Sequence, residues 1–380
     1  MKNQSEDCDH QMSETRFQQR RLTALLAAVL LALLTTLTAC GDDTTGSTKD
    51  APAATQAAPT TRTVTDMSGN KVVVPSRPMR VVTNYPAVTQ IIFLLGAIER
   101  QVGVTQTNLT TLPLFKKIYP PLAQKTAVFG TDTTTVNTEV LLAQKPDLVL
   151  LTAGNDTLRK TITDLGIPAV DVASFPNSDK LKEGVTFIAD VLGGDAPARA
   201  KKFTEFYDGT ISRAAEGTKG LTDAERPKIY YTADNPLSTD GSKTIAEVWA
   251  RQGGGVAVTE GGSVSGTAKP VTLEAVVAWN PDYIFCRDHT TCEEILKDDR
   301  FAEVAAVRNH HVITNPRGVF VWSARSAESA LQPLWVAKTL HPDKFADVDI
   351  EKEVKEFYTT FYDYKLTDAE VDGILSPTEP

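Results

Sequence analysis

The sequence predicts an α/β protein of two lobes, each a mostly parallel sheet flanked by helices, joined by one long backbone helix. Short β-type runs alternate with helical segments, which is the pattern of layered parallel sheets. The segment 138–149 returns as 273–284. In both copies a Glu in the first helical turn lies seven residues before a Pro-Asp that opens a strand. These residues have structural roles in helix and turn, so they mark two similarly built lobes rather than a site.

The first lobe is predicted over residues 63–180. A β-type run at 80–83 is followed by a helical segment at 87–95, which ends at Gly96. The run 146–151 is apolar on both faces, which is typical of a strand buried within a parallel sheet. A helix at 158–165 and a strand at 169–172 are the last predicted elements of this lobe.

A helix-rich connection, the second lobe and a C-terminal helical part follow. Residues 181–220 are predicted as the linker, with a break at Gly193-Gly194. The second lobe is predicted over 221–346, with a first strand at 228–232 and another near 311–314. Residues 347–380 are predicted to form C-terminal helices, and helical segments are expected at 327–340, 348–362 and 366–375.

The N-terminal segment predicts export. The residues Arg20-Arg21 precede an apolar run at 22–39 that ends at Cys40, and this order is typical of a secretory signal peptide. Residues 1–40 are therefore predicted to be the leader, with an uncleaved transmembrane helix as the alternative. Residues 41–62 hold no large apolar side chain and are predicted to be a disordered tether.

Charge and cysteine content further restrict the functional class of the protein. The formal net charge of −9 argues against a nucleic-acid binder. Cys286 and Cys292 are close in sequence, and in an oxidising compartment a disulfide between them is the favoured interpretation. The alternative is a metal site that uses His289, although no second Cys or His cluster completes a usual zinc ligand set.

An ordered set of short motifs carries a family resemblance. It begins with Val64-Thr65-Asp66-Met67-Ser68-Gly69-Asn70 and Val72-Val73-Val74-Pro75, includes the two Glu-to-Pro-Asp repeats, and ends with Leu366-Thr367-Asp368-Ala369-Glu370. Over 64–375 the chain resembles bacterial substrate-binding proteins of ABC importers for iron–siderophore, haem and cobalamin complexes. The resemblance implies a ligand cleft between lobes bridged by one helix, with limited closure and no enzymatic chemistry or cofactor.

The resemblance also implies where the protein lives and what it meets. Leu37-Thr38-Ala39-Cys40 is similar to the lipobox of bacterial lipoproteins, which implies lipidation at Cys40 and attachment to the extracytoplasmic face of the cell membrane. The implied partners are a small-molecule metal chelate and an ABC permease with its ATPase. The expected cargo is an iron(III)–siderophore-type chelate, with a cobalamin, haem or nickel chelate as the alternative.

The candidate ligand-binding residues lie after predicted strands and in loops that open the repeats, where parallel sheets bind ligands. They are Tyr85, Thr131, Asp132, Tyr231, Asn235, Ser263, Trp322 and Arg325. Tyrosine can stack, donate a hydrogen bond or ligate Fe(III), while arginine binds anions bidentately. The alternatives are a half-buried aromatic for each Tyr, turn formation for the loop residues, a core position for Trp322, and a bridge to Glu328 for Arg325.

Acidic residues in two loops are candidates for permease docking. Proteins of the resembled family dock through an acid at the top of each lobe, and the matching loops here hold Asp156 in the first lobe and Asp288, Glu293 or Glu294 in the second. Asp156 replaces the expected Glu, and the second loop carries the unusual Cys pair. Ordinary solvated surface charge is the alternative.

A secreted hydrolase is the hypothesis from another class. The sequence holds no Gly-x-Ser-x-Gly elbow and no His-Glu-x-x-His, although a pair of catalytic carboxylates leaves no such signature. His310 and His311 are adjacent, so on a strand they point to opposite faces and are interpreted as structural.

Overall fold

The computed structural model describes residues 60–172, 174–262 and 264–378. The predicted leader, the Cys40 lipidation site and nearly all of the predicted tether lie outside the described residues, as does Ser263. Within the described ranges, no helix combines the length and apolar character required to cross a bilayer.

The first lobe opens with an antiparallel hairpin, followed by a sheet whose strand pairs are all parallel. The strand order in that sheet is β5-β4-β3-β6-β7. The strands are β1 (Thr61–Thr65), β2 (Lys71–Pro75), β3 (Val81–Thr83), β4 (Gln101–Thr105), β5 (Thr126–Phe129), β6 (Leu148–Thr152) and β7 (Ala169–Val172). The residues of β3 and β7 are all buried, as expected for strands covered on both faces.

Helices cover both faces of this sheet. They are α1 (Pro86–Leu94), α2 (Gln106–Thr110), α3 (Pro113–Ile118), α4 (Thr138–Ala143) and α5 (Asp156–Asp164), with 3-10 turns at Ile98–Arg100 and Pro120–Gln124. Local sequence sets their starts: Pro86 stands at the first turn of α1, and the Asn137 side chain caps α4 by accepting the Val140 amide.

The second lobe is built on a mixed sheet of order β11-β9-β8-β12-β13, with β10 also pairing β8. Strands β8, β10, β12 and β13 run parallel, while β9 and β11 form antiparallel pairs at one edge. The strands are β8 (Lys228–Thr232), β9 (Ser238–Thr239), β10 (Val256–Ala257), β11 (Lys269–Pro270), β12 (Tyr283–Cys286) and β13 (Val312–Thr314).

Two consecutive helices lie between the lobes, and the second is the long backbone helix that the sequence predicts. They are α6 (Ser178–Leu192) and α7 (Ala196–Gly217), separated at Gly193 and Gly194, whose φ angles of 62° and 67° suit glycine. With 22 residues, α7 spans about 33 Å. It buries Phe203 and Tyr207 along one face, so it is fixed by packing as well as by its own hydrogen bonds.

Further helices cover the second lobe, and the last two return to the first. In chain order they are α8 (Ile245–Gln252), α9 (Leu273–Trp279), α10 (His289–Lys297), α11 (Ala305–Arg308), α12 (Gln332–Leu340), α13 (Ile350–Tyr362) and α14 (Asp368–Leu375). Tyr362 of α13 stacks on Phe93 with ring centroids 4.9 Å apart, and Gln90 Nε2 donates a hydrogen bond to its hydroxyl at 2.8 Å. Glu370 of α14 pairs with Lys117 at 2.8 Å. The C-terminal helices therefore brace the first lobe.

The fold class predicted from the sequence is confirmed. Both copies of the repeat form the expected helix and strand, as α4–β6 and α9–β12. The expected helix at 327–340 is divided into a 3-10 turn, Ala327–Ala330, and α12, which begins with Pro333 in its first turn. The lobe and linker boundaries given above remain predictions.

Candidate functional site

A cavity of about 460 Å³ lies between the two lobes, where the carboxyl ends of their strands face each other. The first lobe contributes Thr107, Thr111 and Leu112, which follow β4. The second lobe contributes residues that follow β12 and β13. They are Arg287, Asp288, Thr290, Arg317, Phe320 and Val321.

Two guanidinium groups give the cavity its chemistry. Arg287 follows β12 directly, and its Nη1 donates to Asp234 Oδ1 at 3.1 Å. Arg317 donates from Nη2 to the Thr111 carbonyl oxygen at 2.7 Å, so a second-lobe side chain reaches the first lobe. Because a guanidinium matches planar and tetrahedral oxyanions bidentately, the cavity suits an anionic, oxygen-rich ligand.

A second contact joins the lobes beside this cavity. Arg325 Nε donates to the hydroxyl of Tyr85 at 3.3 Å. Tyr85 raises the pKa of Arg325 most, with Asp240 and Tyr231 adding to the effect and burial opposing it. Burial raises the pKa of Asp240, although the positive charges of Arg287 and Arg325 oppose that rise. These groups therefore form one charged cluster at the lobe interface.

Tyr231 is buried behind this cluster rather than projecting from it. Its hydroxyl lies 2.9 Å from Ser323 Oγ, and its ring meets Trp249 edge-on at 5.6 Å. Burial raises its pKa far above the ordinary value for a phenol. Tyr231 thus supports the segment that carries Arg325, which is a different role from the ligand contact expected of it.

Trp322 corrects another expectation. Its side chain is completely buried, so it belongs to the core and does not present a flat wall to the cleft. Phe320 and Val321 provide the apolar surface of the cavity instead. The sequence analysis nominated Trp322 of this segment, but the structure buries Trp322 and turns Phe320 to the cavity, because the direction of each side chain depends on how the loop is packed.

The remaining ligand candidates occupy turns. The Asp132 carboxylate accepts bonds from the amides and hydroxyls of Thr134 and Thr135, which lowers its pKa and shapes its own loop. Thr131 is exposed in the same loop. Asn235 is exposed and its Oδ1 accepts the Leu237 amide at 3.0 Å. None of these contacts requires a ligand.

The docking candidates are exposed. Asp156 stands at the start of α5 and pairs with Arg159 at 2.7 Å. Glu293 pairs with Lys297 at 2.8 Å, and Glu294 is exposed beside it. Asp288 has a structural role, because its side chain caps α10 by accepting the Thr291 amide at 2.9 Å.

Cys286 and Cys292 enclose the segment that carries Arg287. Their sulfur atoms are bonded and their Cα atoms lie 5.5 Å apart. The bond links the end of β12 to the first half of α10. It therefore restricts the backbone from which Arg287 and Asp288 reach the cavity.

Sequence reasoning did not nominate Arg287, Arg317 or Asp240 as ligand contacts. The signal for the arginines was present, because Arg287 follows β12 directly and Arg317 follows β13 by three residues. The rule that ligands lie beyond the carboxyl ends of parallel strands led to Tyr85, Tyr231 and Asn235 after β3 and β8, and to Trp322 and Arg325 after β13, but not to Arg287 after β12 or to Arg317.

Comparisons with known proteins find similar chains. The family described as "Periplasmic binding protein" matches residues 81–317. The molybdate-binding protein MolA of Haemophilus influenzae is 29% identical over 330 residues, covering 79% of this chain and 91% of the relative. The uncharacterized ABC transporter substrate-binding lipoprotein YvrC of Bacillus subtilis is 26% identical over 332 residues, covering 85% and 96%.

A solved structure shows the same architecture. The solved structure of Haemophilus influenzae MolA bound to molybdate superposes with a TM-score of 0.73 at 26% identity. The superposition covers 80% of this chain and 99% of that chain.

Proposed function

The chain belongs to the periplasmic binding protein family, as the substrate-binding component of an ABC importer, and we propose that it captures an iron(III)–siderophore-type chelate. The observation that carries the proposal is the pair of arginines, Arg287 and Arg317, in the cavity between the lobes. A ferric chelate with carboxylate, catecholate or hydroxamate oxygens offers acceptors of the kind that guanidinium groups bind.

The size of the cavity supports a chelate rather than a single small ion. Pockets that enclose organic ligands measure roughly 300–1,000 Å³, and this cavity of about 460 Å³ falls in that range. Phe320, Val321 and Leu112 add apolar surface for the organic part of such a molecule. A bare tetrahedral oxyanion would leave most of this surface without contact.

A metal oxyanion is the second candidate. A relative that covers most of the chain is named for molybdate, and arginine is suited to oxyanions as well as to carboxylates. Cobalamin, haem and nickel chelates are further outcomes of the same test. The relatives reported above are named for binding or transport, which gives the hydrolase hypothesis no support.

Anchoring and docking complete the proposal. Cys40 carries the lipid that holds the protein at the extracytoplasmic face of the membrane. Asp156 on the first lobe and Glu293 and Glu294 on the second pair with basic residues of the permease. Their exposure supports this role, because charges already committed to a buried network would be unavailable.

Equilibrium dialysis of the purified protein tests the cargo. The panel holds ferric citrate, a ferric catecholate, a ferric hydroxamate, haemin, cyanocobalamin, nickel–histidine and sodium molybdate, with bound metal measured by elemental analysis. We expect saturable binding of a ferric chelate, which Arg287→Ala and Arg317→Ala each weaken by about tenfold or more. Arg308→Ala, an exposed arginine of the same lobe, is the matched control. Binding of molybdate alone, or of cyanocobalamin alone, would overturn the proposal.

A further inference from the structure

The loop between β13 and the 3-10 turn Ala327–Ala330 supplies much of the lobe interface. It carries Arg317, Phe320 and Val321, which line the cavity, and Arg325, which meets Tyr85. This ligand loop, residues 315–326, has little regular structure of its own. Its shape must therefore be held by contacts with the surrounding protein.

The carboxyl group of Glu328 supplies central contacts. Its side chain is completely buried, Oε2 accepts the Phe320 amide at 2.8 Å, and Oε1 accepts the Val319 amide at 3.1 Å. The hydroxyl of Tyr358 donates to Oε1 as well, and itself accepts the Val319 amide at 3.0 Å. One buried acid thus binds two successive amides of the ligand loop.

The backbone passes unusually close to this acid. A Cβ atom at Gly318 would overlap both the Tyr358 hydroxyl oxygen and Glu328 Oε1. Only a residue without a side chain allows that approach. Glycine at position 318 therefore allows the backbone to lie against the carboxyl group of Glu328.

The same acid connects the ligand loop to the first lobe. Gln90 of α1 favours the charged form of Glu328 by lowering its pKa, and its Oε1 accepts the Ala327 amide at 3.0 Å. Its Nε2 donates to the Tyr362 hydroxyl at 2.8 Å. Helix α1 starts immediately after Tyr85, and Arg325 lies in the ligand loop. The network therefore fixes both segments that form the Tyr85–Arg325 contact.

A buried carboxyl group is a poor device for stability alone. Removing its charge from water is costly, and a well-packed apolar residue of similar volume commonly gives an equal or greater free energy of unfolding. Every hydrogen-bond partner described here donates to it, which matches an ionised carboxylate because that group only accepts. The role of Glu328 is therefore to fix the geometry of the ligand loop whose amides it accepts.

We propose that Glu328 is a positioning residue for ligand binding, whose carboxylate holds the 315–326 loop in the form that presents Arg317, Phe320 and Arg325 to the cargo. The inference rests on the proposed ligand cavity, and it adds a residue that does not itself line that cavity. A neutral carboxyl group keeps fewer acceptor sites and gains a donor, so it cannot serve both loop amides and Tyr358 equally well.

The buried environment of Glu328 makes its contacts with the ligand loop sensitive to pH. Burial raises the pKa of Glu328 to about 7, although the bonds from Tyr358, Phe320, Val319 and Gln90 oppose the rise. The titratable groups that face it are the phenols of Tyr358 and Tyr362, both on α13, and burial raises both of their pKa values well above the ordinary value. Ligand affinity should therefore fall as pH decreases through neutrality.

The test compares the wild type with Glu328→Gln, which removes the ionisable group at nearly constant shape. Affinities for ferric citrate and for sodium molybdate are measured between about pH 6 and about pH 8, together with amide hydrogen exchange of residues 315–326. In the wild type, we expect affinity for the probe that binds to fall about tenfold toward pH 6, as one charge-assisted bond is lost. In Glu328→Gln we expect the weaker affinity at every pH.

Glu353→Gln is the matched control, because Glu353 is paired with Arg213 on another face of α13. It should keep the wild-type affinity and pH profile. Wild-type affinity and an unchanged pH profile in Glu328→Gln would overturn the proposal.

Two further measurements keep the test decisive. If Glu328→Gln does not fold, Tyr358→Phe removes one donor and leaves the acid, so the midpoint of the pH profile should move upward; an unmoved midpoint would count against the proposal. If neither probe binds, the dialysis panel described above decides the cargo, while hydrogen exchange decides the positioning role. Exchange in the loop, corrected for intrinsic rates, should increase toward pH 6 in the wild type and not in Glu328→Gln, and equal behaviour of the two would refute it.

Discussion

Asp234 competes with the proposed ligand for Arg287, so removing its charge should strengthen binding. The pair is 3.1 Å apart, and the side chains are 45% and 56% exposed for Arg287 and Asp234. Exposed ion pairs contribute about 0.2–1 kcal/mol, so Asp234→Asn should increase affinity for an anionic chelate by up to about fivefold. Arg287→Ala removes a charge-assisted contact of about 1.5–3 kcal/mol and should weaken binding by about ten- to 150-fold.

Dialysis at two salt concentrations measures both effects. Because the pair is exposed, the gain in Asp234→Asn should shrink as ionic strength rises above about 0.1 M. Asp164→Asn makes the same change in net charge at the far end of α5, where Asp164 pairs with Lys160, and it should leave affinity unaltered. Weaker binding in Asp234→Asn would show that the acid orients Arg287 for the ligand, which would refute the competition argument.

Three further predictions concern stability. Intact-mass measurement should find Cys286 and Cys292 oxidised, and replacing both with Ser should cost about 2 kcal/mol, the loop-entropy value for so short a ring, seen as a lower Tm. Gly318→Ala should destabilise by about 1–3 kcal/mol in urea unfolding through overlap with its buried neighbours, whereas Gly209→Ala, with open space around its helix position, should not. Glu370 has a pKa lowered to about 2 in spite of burial, chiefly by Lys117, so its contribution is present above about pH 4.5 and is lost as pH falls toward 2. Glu370→Gln should therefore lower the Tm near neutral pH and converge with the wild type in acid, and parallel curves would contradict this assignment.

The fold was predictable because its signals are local. The helix–strand order of α4–β6 and α9–β12 follows from apolar periodicity and from turn residues next to each other in the chain. The contact of Tyr85 with Arg325 joins residues 240 positions apart, so the sequence could nominate both but not their pairing. Tyr231 and Trp322 were misjudged for a related reason: burial depends on the loop that covers a strand end, and a single sequence does not reveal how that loop packs.

The charged cluster was only partly foreseen. Arg325 was expected, whereas Asp240 lies in an irregular segment after β9 and carries no recognisable pattern. Glu328 was considered only as a partner for Arg325, while the structure gives it the amides of Val319 and Phe320. A buried acid of this kind is difficult to predict from the sequence because most glutamate residues in proteins lie at the surface.

The return of the C-terminal helices to the first lobe has a consequence for biosynthesis. Phe93 lies near the beginning of the described chain, yet its ring is covered by Tyr362, which is synthesised 269 residues later. Until those last residues emerge, the growing polypeptide exposes an apolar surface that attracts chaperones and invites aggregation. Translation arrest or proteolytic loss before α13 should therefore leave an insoluble fragment rather than a folded half.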